Sequence, residues 1–400
     1  MSPTYWSKIM GRKLYKTNVF RSVASFEEQA SLTNGQIVNR PYRSNVVVEN
    51  YVKGTALTAQ GLTATSDQLT VNVFKGLLMY VDEIDKVQNK WSAAKLWAEE
   101  AAIRLANAID AEFFSRYQDA ASANLVDDCK LGGTSGNGAT LTTANILSVF
   151  GVANRLLDVQ NVPLGSRFFA ISPQFKQKLW EYISGRESIL GDKTGENGNI
   201  GSYAGFDLYL TNNLTGSANF TGAAATPSDA DTVTINGVVF TFKTTIGTTA
   251  GNVLIGANAT ASLTNLKALI DGGGVSSDAG VSNVTLALAD QRTVQTWFTS
   301  AVASSTLTVS AKGASYMAVS ASMTNTANTW TAAKQVQHCL AGMKQSIDLV
   351  IQKEPDVEMA STVAAGKRGM NILPMTIFGV RTFNQGANQI VDVQIRSDAF

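Results

Sequence analysis

The stretch SAAKLWAEEAAIRLANAIDAEFFSRY, residues 92–117, is rich in alanine and contains neither glycine nor proline. Alanine gives up no side-chain freedom in a helix, and Glu100/Arg104 and Glu112/Arg116 are spaced i,i+4 with the acid first, the supportive order. The composition and spacing predict one helix over Ser92–Tyr117, about 39 Å long at ~1.5 Å per residue. A helix of that length is a beam, longer than the packing helices of a compact enzyme.

Outward from the beam the pattern changes to strands and short helices. Upstream, DQLTVNVFKGLLMYVDEID (67–85) alternates Leu69, Val71 and Val73 with polar residues, as a half-exposed strand would. Downstream, GSRFFAISPQFKQKLWEYISG (165–185) opens with a buried-strand run, Arg167 to Ile171. Ser172 then supplies an N-cap, Pro173 fits the first helical turn, and Phe175, Leu179 and Ile183 repeat at helical spacing before Gly185. A further strand is expected in YAGFDLYLTNNL (203–214), with Phe206, Leu208 and Leu210 on one face.

Composition changes near residue 215 and again near 332. The 118 residues of 215–332 hold nine charged residues, against 54 in the other 282, and threonine, serine, alanine and glycine fill the difference. TVTINGVVFTF (232–242) reads as a hairpin, because Asn236-Gly237 can adopt the positive φ angles of a two-residue type I′ turn between alternating apolar residues. ATASLTNLKALID (259–271) places Leu263, Leu266, Leu269 and Ile270 on one helical face. NVTLALA (283–289) and STLTVSA (305–311) alternate as strands do. The segment is therefore expected to be a folded, mostly β insertion, with DGGGVSSDAG (271–280) as a flexible loop. After it, VQHCLAGMKQSIDLVIQKEP (336–355) spaces Val336, Leu340, Met343, Ile347 and Ile351 as a helix, although IDLVIQ suits a strand equally. The end of the chain is strand-rich, so an α+β core formed by the residues on both sides of the insertion is expected.

The chemistry-bearing residues are sparse. His338 is the only histidine, so any histidine-dependent triad or metal site must use it. On a helix, Cys339 would point about 100° away from it, which makes a Cys/His dyad unfavourable against a packed histidine. GDKTGENGNIG (191–201) lacks the glycine directly before lysine that a phosphate loop requires, and LGGTSGNG (131–138) reads as a plain flexible loop. Glu99/Glu100 and Asp127/Asp128 are adjacent carboxylates that face apart if helical, hence solvated surface. No metal spacing or dinucleotide fingerprint occurs. The sequence thus assigns no catalytic, cofactor-binding or metal-binding residue, and the reading is of a protein that is not an enzyme. Asn-x-Thr at Asn213, Asn219, Asn258 and Asn283 would matter only in a secreted eukaryotic protein.

A length of 400 residues suits two or three domains, and a formal net charge of +1 gives no support to nucleic-acid wrapping. Two cysteines make no disulfide framework. No apolar run reaches the ~18 residues of a membrane span, and no secretory leader is recognised, so a cytoplasmic, soluble chain is expected. Residues 1–40 carry Lys8, Arg12, Lys13, Lys16, Arg21 and Arg40 against Glu27 and Glu28, with interleaved aromatics. This reads as a partner-docking arm in preference to a nucleic-acid arm.

The order of elements resembles the major capsid proteins of tailed bacteriophages, with the HK97-like fold. The resemblance is carried by the N-terminal arm, VVVENYVKGTALTAQGLTATSDQLTVNVFKGLLMYVDEID, the helix ending AIDAEFFSRY, FFAISPQFKQKLWE, GFDLYLTNNL and FGVRTFNQGANQIVDVQIR. It covers about 282 residues and rests on no single diagnostic motif. It implies an N-terminal arm (1–45), an extended loop with peripheral-domain strands (46–91) and a spine helix of the peripheral domain (92–124). An axial domain (125–214), the insertion on the outer surface (215–332) and a return to both domains (333–400) complete the organisation.

The implied function is that of a subunit self-assembling into hexamers and pentamers of an icosahedral shell around double-stranded DNA, with non-specific DNA contact on the inner face. The absence of a long helical N-terminal extension implies a separate scaffolding protein. A portal protein at one vertex and a decoration protein are further implied partners. Localisation is then the virion, after assembly in the host bacterial cytoplasm. A tail-tube or decoration subunit is the alternative, since a module resembling the insertion occurs outside capsids too. The resemblance carries no residues for a covalent isopeptide cross-link.

Overall fold

A computed structural model of the chain describes residues 16, 18–32, 35–43, 46–61, 64–88, 93–185, 201–222, 226–273, 283–364, 367–383 and 386–397. The chain divides into two compact units: one holds 23–106 and 345–387, the other 14–22, 107–344 and 388–400.

In the first unit, β1 (Ile37–Arg43) and β2 (Ala64–Thr70) form an antiparallel hairpin in unbroken register. β3 (Val73–Gly76), β4 (Met79–Asp82) and the short helix α2 (Glu83–Gln88) follow, then the first half of α3 (Ala93–Phe114). β18 (Asp348–Ala364) and β19 (Lys367–Arg381) make a long hairpin, and β3 and β4 both pair with β19. The alternating stretch around residue 70 is two strands. It breaks at Val71, whose N–H donates to Gln36 O (2.9 Å) while its side chain, with Leu69, enters a small core of Leu32, Val350 and Phe383.

The second unit contains α1 (Phe20–Val23) as far as Ser22, the rest of α3, and β5 (Leu125–Val126), α4 (Ile146–Val159), β6 (Arg167–Ile171), α5 (Pro173–Ser184), β7 (Ser202–Tyr203) and β8 (Phe206–Leu210). Within the low-charge segment lie β9 (Thr215–Gly222), β10 (Thr232–Ile235), β11 (Val238–Lys243), β12 (Asn252–Leu254), α6 (Ala259–Ile270) and α7 (Leu288–Val294). β13 (Phe298–Ala303), β14 (Thr306–Ala311), β15 (Val319–Ser322) and β16 (Asn328–Trp330) complete it. β17 (Val336–Met343) and β20 (Ile390–Arg396) close the unit. A ten-stranded sheet runs β13-β14-β9-β17-β6-β8-β7, with β16 on β9, β20 on β17 and β5 on β20. One edge of β17 is shared, Val336–His338 pairing β9 and Ala341–Met343 pairing β6.

The sheet of the low-charge segment is therefore continuous with the sheet that precedes and follows it. Its second sheet, β12-β11-β10-β15, and α6 close over this extension. Phe220, Phe240, Phe242, Leu266, Leu307 and Trp330 are among the buried residues of their shared core.

Several local readings hold. Ser172 Oγ accepts the Phe175 N–H at 3.2 Å, and Phe175, Leu179 and Ile183 are buried. Asn236 and Gly237 turn the β10–β11 hairpin with φ of 48° and 85°. Leu263, Leu266, Leu269 and Ile270 are the buried face of α6. The long helix is 22 residues, about 33 Å at ~1.5 Å per residue, and tightens into a 3-10 turn over Ser115–Asp119.

Two readings are corrected. Residues 336–355 are not a helix but β17, a turn, and the start of β18; β17 is buried on both faces from Val336 to Gly342, which erases the two-residue alternation that marks a half-exposed strand. Pro355 lies inside β18 where the register with β19 shifts between Lys353 and Asp356, a bulge at which a missing N–H costs little. NVTLALA is an isolated bridge at Val253–Asn283 followed by the start of α7, not a strand.

Candidate functional site

The β1–β2 hairpin carries the most exposed apolar chain in the molecule's described residues. Residues 46–61 form neither strand nor helix, and Val46, Val48, Tyr51, Val52 and Leu57 are 58–95% exposed. Gln60 ties the two legs together: its Oε1 accepts the Val47 N–H at 3.0 Å and its Nε2 donates to Val47 O at 2.5 Å. Burying one such valine or leucine is worth about 1.5–3 kcal/mol, so this row is a costly surface to leave in water. A second apolar face lies on the β18–β19–β3 sheet. Phe74 (62% exposed) stands directly opposite Ile377, and Leu373 (47%) and Tyr80 (39%) continue the surface.

The single histidine is placed in a constellation that the sequence did not reveal. On β17, His338 is opposite Thr215 of β9 and Gln394 of β20. Ser217 and Asp392 each lie two residues along their strands from those partners, hence on the same face as His338. Ser217 Oγ is 2.8 Å from His338 Nε2, Asp392 Oδ2 is 3.0 Å from Nδ1, and the Tyr117 ring stacks on the imidazole at 3.7 Å.

These are the residue types of a hydrolytic triad, but the setting is wrong for one. All four residues are buried. Ser217 sits mid-strand between Ser310 of β14 and Val336 of β17, not on an exposed turn, and Tyr117 covers the ring that would have to exchange protons with a substrate. The cluster is a polar bolt through three strands and the end of the long helix. Cys339 points to the other sheet face, as neighbours on a strand must, and burial pushes its thiol up to about 12, so no Cys/His dyad exists. The separation arises from strand alternation, not from helical spacing.

The remaining candidates make local structural contacts. Asp127 is buried, not solvated: its Oδ1 accepts the Lys130 N–H (3.3 Å) and its Oδ2 the Gly136 N–H (2.9 Å), while Asp128 accepts from Thr134 N (3.0 Å). The loop LGGTSGNG is thereby held, not free. Glu100 pairs with Arg104 at 2.8 Å. Asn213 bonds Asp110, Asn258 caps α6, Asn283 Nδ2 donates to Asn265 O, and Asn219 N–H and C=O lie in β9. Cys129 is exposed and Cys339 buried, both free thiols. Residues 191–200 of GDKTGENGNIG, the loop core 274–280, Ser92, and Lys8, Arg12 and Lys13 of the basic arm lie outside the described residues. Arg40, counted with that arm, belongs instead to β1 and is matched by Glu27 (2.5 Å), Glu28 (3.8 Å) and Asp348 (3.3 Å).

Sequence reasoning did not anticipate the burial of Asp110, and it placed Arg167 at the start of a buried strand without identifying its partners. Asp110, on α3, accepts from Val19 N (3.0 Å), Phe20 N (2.8 Å) and Asn213 Nδ2 (2.8 Å), so it fastens the 18–22 segment to the long helix. Burial raises its carboxyl above the usual range, partly offset by those donors. Arg167 is 1% exposed and donates to Asn154 Oδ1 (2.7 Å), Asp158 Oδ1 (2.5 Å) and Val162 O (2.5 Å). The signal available for both was a charged residue inside an apolar run, IDAEFF and RFFAI.

Among the described residues no group of three histidine, cysteine or carboxylate side chains is arranged to hold a metal ion, and no helix is long and apolar enough to cross a membrane. No protein-family model matches the sequence, and no curated protein matches it. Solved structures do. A chain of Mycobacterium phage Che8 superposes with a TM-score of 0.57 at 13% identity, over 98% of this chain and 96% of that one. A chain of the cyanophage Pam1 capsid asymmetric unit gives 0.53 at 10% identity, over 99% and 97%. The chain has the HK97-like capsid fold. A chain of the capsid structure of cyanophage P-SCSP1u superposes with a TM-score of 0.51 at 12% identity, over 98% of this chain and 91% of that one. The α+β class expected from the element order is thus the observed one.

Proposed function

We propose that this protein is the major capsid protein of a tailed bacteriophage, a structural subunit with no catalytic role. The observation that carries this reading is the match along nearly the whole chain, insertion included, to chains of phage capsids, with each covering more than nine-tenths of the other. The exposed apolar loop at 46–61 supports it, because such a surface is stabilised only by neighbours. Copies of the chain form hexamers and pentamers of an icosahedral shell, the loop lies over an adjacent subunit, and residues 215–332 decorate the outer face. The first unit corresponds to the peripheral domain and the second to the axial domain. Assembly proceeds in the host bacterial cytoplasm with a separate scaffolding protein; a portal occupies one vertex, double-stranded DNA contacts the inner face non-specifically, and a decoration protein is a further partner.

Negative-stain electron microscopy of the chain expressed alone and with candidate scaffolding proteins tests the reading. Closed shells are expected; tubes, rings, or a monomer under every condition would overturn it. Protease resistance of 52–68 gained only in particles is expected from the loop placement, and equal cleavage in both states would refute that placement.

A further inference from the structure

Arg40 in β1 stands directly opposite Asp67 in β2, and Asp348 in β18 stands directly opposite Arg381 in β19. Residues so paired share a sheet face with Cβ atoms about 4.5–5.5 Å apart. Each hairpin therefore carries its own plus-minus pair, midway along β1–β2 and at the open end of β18–β19. The ion pairs formed run between the hairpins instead: Arg40 Nη1 to Asp348 Oδ2 at 3.3 Å, and Arg381 Nη2 to Asp67 Oδ1 at 2.8 Å. The same four charges can be matched in two ways, across the hairpins or within them.

A pivot lies one step away. A Cβ on Gly379 would stand 2.6 Å from Thr70 O and 3.0 Å from Val71 Cα, so only glycine lets the end of β2 cross β19 this closely. Leu69 and Val71 are anchored there against Val350 and Phe383, and the charged quartet sits just beyond, towards the exposed loop. The docked arrangement is held by the groups around Arg40: Glu27 at 2.5 Å, Glu28 at 3.8 Å, Asp348, and the Phe383 ring at 5.0 Å. Ordinarily, withdrawing Arg40 would strand Asp348, whose side chain is 4% exposed, as an unpaired buried carboxylate, a costly state. Here Arg381 is already opposite it, and Glu27, 62% exposed, is solvated in either position.

We propose that Arg40, Asp67, Asp348 and Arg381 form an ion-pair-exchanging hinge, through which the β1–β2 hairpin and its 46–61 loop swing relative to the β18–β19 hairpin. The exchange trades Arg40–Asp348 and Asp67–Arg381 for Arg40–Asp67 and Asp348–Arg381, so that each of these four charges keeps a partner through the motion while Arg40 gives up Glu27 and Glu28. The hinge is a property of the chain whether or not it assembles.

The test is a distance distribution between spin labels at T58C and R368C, both exposed positions, in the dilute unassembled full chain with C129S. R40D/D67R puts like charges across the docked hairpins while keeping opposite charges within each, and the long-distance population is expected to rise about tenfold relative to the parent. D67R/R381D does the reverse, keeping opposite charges across both docked pairs, one of them reversed in sign, and placing like charges within both hairpins, and the long-distance population is expected to fall by a similar factor. Shifts in the same direction, or identical distributions in all three chains, would overturn the hinge. If R40D/D67R does not fold, D67R/R381D, at side chains 17% and 45% exposed, decides alone: a long-distance population unchanged or increased refutes the exchange.

Discussion

Lys312 Nζ lies 2.7 Å from Glu112 Oε1, joining the turn after β14 to the long helix across 200 residues of sequence. Next to it, Lys16 Nζ donates to Gly313 O and to Asn212 O (3.3 Å). The low-charge segment is thus bolted to the helix and to the arm, as well as sharing a sheet with β17. Lys312→Ala is expected to lower stability by about 1 kcal/mol, since Glu112 keeps Arg116 at 3.3 Å. Urea unfolding checks this.

Excision of the segment depends on where it is cut. Gly222 is directly opposite Asn328 across β9 and β16, so removing 223–327 and closing with Asn-Gly keeps that hairpin. Removing 218–330 takes away most of β9 and its partner. Both deletions uncover part of the shared core, and the first is expected to give the higher soluble yield and melting temperature; the opposite order would show that β9 is dispensable.

The His338 cluster yields a prediction that separates structure from catalysis. His338→Ala leaves Asp392 and Ser217 buried with fewer partners and is expected to cost about 2–4 kcal/mol. Ser217→Ala should cost about 1 kcal/mol. A serine-directed fluorophosphonate probe should not label Ser217; stoichiometric labelling abolished by His338→Ala would demonstrate a working triad.

Asp110 gives a pH signature. Its folded-state carboxyl is raised by burial, so the native state binds this proton more tightly than the unfolded chain does. Its contribution to stability is lowest above the folded-state value, grows as pH falls through it, and is complete below the ordinary carboxylate value. Asp110→Asn keeps an acceptor for Val19 and Phe20 but cannot titrate. The wild type is therefore expected to gain stability relative to Asp110→Asn on going from pH 7 to pH 4.5, read as the difference in urea midpoints.

Arg167→Met keeps the apolar stem but leaves Val162 O and Asn154 Oδ1 without their donor, an expected loss of about 2–4 kcal/mol. Asp158, 59% exposed, is solvated by water and should add little, so Asp158→Asn is expected to cost well under 1 kcal/mol. Thermal unfolding of the two variants checks the asymmetry.

The features legible in the chain before folding are local. The long helix, the Ser172-Pro173 start of α5, the Asn236-Gly237 turn and the apolar face of α6 are each specified by neighbours within a few residues, through propensity, caps and periodicity. The composition boundary at 215–332 was legible too, and the order of elements was enough to suggest the architecture. That 336–355 form strands emerged from long-range packing, because a strand covered on both faces presents the same apolar run as a buried helix. Such packing alone extended the core sheet through β9. It also gathered Ser217, His338 and Asp392 from three strands and Arg40, Asp67, Asp348 and Arg381 from four. Register between distant strands places those side chains, and register is set by long-range pairing that no window of adjacent residues contains.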